Sequence, residues 1–99
     1  MAMHKLYIVL VRWVGVPLNP PAVDNILTEQ GEWIRFNSFT WFLWTDASPM
    51  AINQALLTKL GQESSIIIAS LETRAAVGWA PKWIWDWLND KMVKQLTGG

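Results

Sequence analysis

The chain has no cysteine and only one histidine, and nowhere in its 99 residues does it approach the roughly 18 consecutive apolar residues of a membrane helix. Without cysteine there is no disulfide framework, no thiolate nucleophile and no Cys-ligated metal. His4 stands alone near the start, where a solvated terminal residue is the simplest reading. With no second imidazole there is no zinc-type ligand cluster, and Ser64 and Ser65 have no neighbouring base to activate a hydroxyl. No metal and no cofactor is expected. Net charge is lacking as well: eight Lys plus Arg balance eight Asp plus Glu, so no overall field draws the chain to nucleic acid or anionic lipid. The apolar run from Leu6 to Val11 is interrupted by Arg12 and no small-residue cleavage site follows, so no signal peptide is read and a cytoplasmic location is expected.

What the chain does have is tryptophan. Eight occur, four at Trp13, Trp33, Trp41 and Trp44 and four at Trp79, Trp83, Trp85 and Trp87. Each indole is a broad apolar plate with a single N–H donor, suited to sites that are mostly buried yet reach a polar partner. Hydrophobic residues reach 52% and charged residues only 16%, which is apolar for a small free-standing domain.

Periodicity organises the rest. Leu6 to Trp13 is apolar on both parities, as expected of a strand buried on two faces. Gly15 to Pro21 breaks it, and Asn19-Pro20 marks a helix start, with Val23, Ile26 and Leu27 as its stripe and Gly31 as its stop. Glu32 to Phe36 and Phe39 to Thr45 read as two arms of a hairpin turning at Asn37-Ser38. Ser48-Pro49 opens a second helix that ends at Gly61, with Asp46 expected to help start it, and Ser65 to Leu71 is a fourth strand. Pro81 begins a third helix running to about Gln95, ahead of a flexible tail at 97–99. The order strand, helix, strand, strand, helix, strand is ferredoxin-like βαββαβ, an α+β fold in one domain spanning 1–96 with an added Trp-rich C-terminal helix.

In that topology two helices share one face of the sheet and leave the other open. These strands carry large apolar residues on both parities, so the open face needs a cover. Two covers are available: the chain's own third helix, or a two-fold mate presenting the same patch. The expectation is a homodimer that binds a further macromolecule, most simply a protein, through Tyr7, Val9, Val11, Trp13, Trp41, Trp79, Trp83, Trp85 and Trp87. On the third helix, Asp86 and Asp90 alternate with Lys82 and Lys94 as a solvated ion-pair ladder, and no membrane partner is expected.

The hairpin Ser38-Phe39-Thr40-Trp41-Phe42-Leu43-Trp44-Thr45-Asp46, the capping Ser48, Ser65-Ile66-Ile67-Ile68, Trp79 and Trp87-Leu88 together resemble small bacterial ferredoxin-like proteins labelled SinR-like. That group is similar to VapD-type toxins and to the CRISPR-associated small nucleases of adaptation. The resemblance implies a dimer, regulatory or toxin–antitoxin contexts, and, as an alternative activity, a metal-dependent endoribonuclease with an aspartate closing the first strand. Arg12 occupies that place, and a guanidinium cannot ligate a cation. A second alternative is single-stranded RNA stacking, as in RNA-recognition motifs, with Tyr7, Phe39 and Trp41 as platforms and Arg12 and Arg35 as strand cations.

Overall fold

The computed structural model describes residues 3–61, 63–71 and 76–96; the expected tail at 97–99 lies outside them. The elements follow in the order β1 (Lys5–Arg12), α1 (Pro20–Gln30), β2 (Glu32–Asn37), β3 (Thr40–Thr45), α2 (Pro49–Leu60), β4 (Ser65–Ser70) and α3 (Lys82–Leu96). The four strands form one antiparallel sheet in the order β2-β3-β1-β4. This is the ferredoxin-like topology with a third helix added.

Local chemistry sets most boundaries. Ser48 caps α2 by accepting the Ala51 N–H at 3.1 Å, with Pro49 at the first helical position. Ser48 alone supplies this cap; Asp46, expected to help start the helix, precedes it. Asn19 occupies the N-cap of α1, but its side chain makes no capping bond, and Pro20-Pro21 supply the start through their fixed φ. The hairpin turns at Ser38-Phe39, one residue later than the sequence pattern indicated. The Asn37 side chain causes the shift, since its Oδ1 accepts the Phe39 N–H at 2.8 Å in an Asx-type turn. Phe39 is thereby removed from the strand and left half exposed.

Alternation then assigns the faces. Tyr7, Val9 and Val11 of β1, with Trp41 and Leu43 of β3, point toward α1 and α2 and pack with Val23, Leu27, Ile52 and Leu56 in the larger core. The opposite parity forms a second, smaller core, in which Leu6 and Trp44 meet Ile84, Leu88 and Met92 of α3. The third helix therefore lies across the sheet face that α1 and α2 leave bare.

The join between α1 and β3 is tight. The Thr45 hydroxyl donates to the Gln30 carbonyl at 2.5 Å, and a Cβ added at Gly31 would sit 2.2 Å from the Trp44 carbonyl oxygen. Backbone, not a movable side chain, fills that space. Gly31→Ala is expected to cost about 1–3 kcal/mol through forced overpacking. Gly78→Ala, whose Cβ would meet only the Trp85 ring at 3.6 Å, should stay within about 0.5 kcal/mol of the parent. Urea denaturation of the two variants checks the contrast.

Candidate functional site

The third helix corrects the expected binding surface. Tyr7, Val9, Val11 and Trp41, assigned from sequence to a partner-facing surface, are 0–6% exposed beneath α1 and α2. Trp13 and the Trp41 indole are engaged internally: Trp13 Nε1 donates to the Ser38 carbonyl at 3.0 Å and Trp41 Nε1 to Asp24 Oδ1 at 2.8 Å. Trp85 and Trp87 pack against the smaller core, leaving Trp79 and Trp83 as the exposed members of the set. Among the described residues the ring pairs are His4–Trp44 and Phe36–Phe42, so the tryptophans form no aromatic cluster at the surface. A macromolecule-binding aromatic face, and a sheet-on-sheet dimer built to cover it, do not survive this placement. The cover is intramolecular.

The two alternatives meet the same geometry. For RNA stacking, Tyr7 and Trp41 would have to share an open face, but both point under the helices; Phe39 sits in the hairpin turn. Arg35 lies on the helix side and pairs with Asp24 at 3.6 Å, while Arg12 ends β1 on the opposite face. For a metal-dependent nuclease, acidic groups would have to converge, and no group of three or more His, Cys, Asp or Glu among the described residues could hold a metal ion. Ser64 is buried, with its hydroxyl committed to the Val14 backbone at 3.3 and 3.4 Å. His4 is not simply solvated either, since its ring lies 5.4 Å from that of Trp44.

What α3 leaves is a groove. Its first turns and the 76–80 segment stand over the sheet beside Ile8, Phe36 and Phe42, bounding an open groove of about 320 Å³. None of the twelve lining residues carries a charge, and four are aromatic: Phe36, Phe42, Trp79 and Trp85. Phe36 and Phe42 meet edge to face at 6.2 Å and make the floor, while Trp79, 99% exposed, stands at the rim. Two other depressions, of about 360 and 310 Å³ against α1, differ in carrying polar and charged groups: Asn19 and Lys59 line both, and Asn25 and Glu29 the first.

Among the described residues, two polar ties hold α3 in place. Gln95 Oε1 accepts the Leu6 N–H at 2.7 Å, near the start of β1. Lys91 reaches Glu32 at the start of β2, lies 3.2 Å from Asp90, and sits 5.3 Å from the Trp87 ring centroid. Lys91 is only 4% exposed, an unusual place for lysine. Burial pushes its pKa down, but the hydrogen bonds and charges of Glu32 and Asp90 outweigh that and raise it overall. The Lys91 hydrogen bond lowers the Glu32 carboxyl against a smaller opposing desolvation, and Asp90 is lowered by its bonds to Lys91 and Lys94. Sequence reading found the outer ladder, Lys82–Asp86 at 2.7 Å and Lys94–Asp90 at 3.2 Å, and missed Lys91. The available signal was a lysine placed three residues after Leu88 and beside Met92 on the apolar arc.

No protein-family model matches this chain, and no curated protein matches it. No helix among the described residues is long and apolar enough to cross a membrane.

The Lys91–Glu32 tie has a defined pH window. Glu32 is depressed below its ordinary 4.5, so its contribution is present above that value and lost as pH falls through the folded pKa. Lys91 is raised above 10.5, so its contribution holds below that value and is lost only as pH rises through the folded pKa. Glu32→Gln should cost about 1 kcal/mol at neutral pH, a modest figure because Glu32 is largely solvated. The gap to the parent should close on acidification below the ordinary carboxylate range. Urea midpoints across pH measure both.

Proposed function

We propose that the chain is a binding domain for a small, uncharged, largely apolar molecule held between the sheet and the start of α3. The observation that carries this reading is the groove's lining: about 320 Å³ bounded by apolar side chains without a single charged one. That volume falls at the low end of the roughly 300–1,000 Å³ of small-molecule sites. A charged ligand would lose hydration there with no partner to replace it, which selects against ions. The Phe36–Phe42 floor and the Trp85 wall favour a flat or aromatic ligand, because ring faces add contact beyond simple burial.

Kinship with the SinR-like and VapD-like group belongs to this proposal as a shared scaffold, supported by the βαββαβ order and by Trp87-Leu88 on the added helix.

Titration with the neutral fluorophore N-phenyl-1-naphthylamine tests the reading. Saturable enhancement at one probe per chain is expected, with quenching of tryptophan emission. Ala76→Trp, which fills the groove, should weaken binding at least about tenfold, a loss near 1.4 kcal/mol. Absence of saturable binding to the folded parent, or equal binding by Ala76→Trp, would refute it.

A further inference from the structure

The two edges of the sheet are built differently. The outer edge is β2 on one side and β4 on the other. β2 carries Glu32 and Arg35, and its pairing with β3 is irregular between Arg35 and Asn37. Charge and irregularity are the usual protections of an edge strand. β4 has neither: it reads Ser-Ile-Ile-Ile-Ala-Ser in regular register with β1 from Ser65 to Ser70, and no charge or proline occurs from Ser65 to Leu71.

The hydrogen-bond phase shows which groups the β4 edge offers. The Leu71 N–H donates to the Leu6 carbonyl at 2.9 Å, and the Val11 N–H donates to the Phe39 carbonyl at 2.9 Å. Even-numbered residues of β1 therefore bond toward β4 and odd-numbered ones toward β3. With Leu10 opposite Ile67 and Ile8 opposite Ala69, the inward groups of β4 belong to Ser65, Ile67 and Ala69. Ile66, Ile68 and Ser70 turn their N–H and C=O outward. No strand among the described residues pairs with that row.

We propose that β4 is a self-pairing edge, on which a second copy of this chain adds its own β4 antiparallel, with the two-fold axis at Ile68. This centring matches donors to acceptors: Ile68 meets Ile68, and Ile66 of each copy meets Ser70 of the other. On the sheet face opposite α1 and α2, Ile67, 59% exposed, falls opposite the small Ala69 of the second copy and gains a neighbour without a clash. A second copy fits better than a foreign strand because an uncharged, regular strand opposes like to like without repulsion, and the zero net charge removes the longer-range penalty. The pairing uses the edge and owes nothing to the face that α3 covers. It is also independent of the groove.

Sedimentation equilibrium between about 10 μM and about 1 mM, the range of weak association, should show the mass rising from one chain toward two. Amide exchange at the two ends of that range gives the specific signature. Ile66, Ile68 and Ser70 should slow by about tenfold or more at high concentration, whereas Ile67 and Ala69 are protected at both. Ser70→Pro removes one outward N–H, and Ile67→Lys adds a charge at an exposed position; both should remain at one-chain mass with an unchanged far-UV spectrum. A parent that stays at one-chain mass throughout overturns the proposal. So does a dimer whose Ile66, Ile68 and Ser70 amides stay unprotected, or one that persists in both folded variants.

Discussion

Everything in this small protein depends on a sheet that is apolar on both faces and must be covered twice. A βαββαβ chain supplies one cover, α1 and α2, and the larger core beneath them is closed by Trp41, Leu27, Ile52 and Leu56 at 0% exposure. The opposite face carries Leu6, Ile34, Phe42 and Trp44, which in water would make a large apolar patch. The third helix answers that requirement within the chain, and Ile84, Leu88 and Met92 are its buried side. A partner is not needed for this purpose.

The cover is partial, and its ends differ. The C-terminal half of α3 is tied by Lys91 to Glu32 on the edge strand β2 and by Gln95 to the Leu6 amide on the interior strand β1, so it is held at two points along the sheet. The N-terminal half has no such polar tie among the described residues and leaves an open apolar groove beside Phe36 and Phe42. Burying Lys91 is costly, and the carboxylates of Glu32 and Asp90 offset that cost only while both are ionised. The ion pair thus sets where the helix sits, and the apolar contacts supply most of the holding energy.

Much of the fold was legible in the chain. Ser48-Pro49, Gly31 and Gly61 bound the helices because capping and chain reversal depend on local chemistry. The two-parity strands announced that both faces of the sheet would be dry. What could not be read was the agent that dries the second face: an own helix and a symmetric mate satisfy the same hydrophobic pattern, and pattern carries no information on connectivity in space. Assigning Tyr7, Val9, Val11 and Trp41 to the outer face was wrong because period-2 alternation separates two faces without saying which is which. Lys91 was hidden for another reason, since its counter-charge Glu32 stands 59 residues away. The one-residue shift of the hairpin came from a single Asn37 side chain competing with the ladder.

The decisive feature is that α3 lies across the sheet of its own chain. Zero-length carbodiimide coupling of Lys91 to Glu32, performed on an equal mixture of isotopically light and heavy chains and read by mass spectrometry, tests this most directly. Light–light and heavy–heavy linked peptides alone are predicted, at dilutions where the mass is that of one chain. Mixed light–heavy Lys91–Glu32 links, or no coupling of this pair in the folded protein, would contradict it.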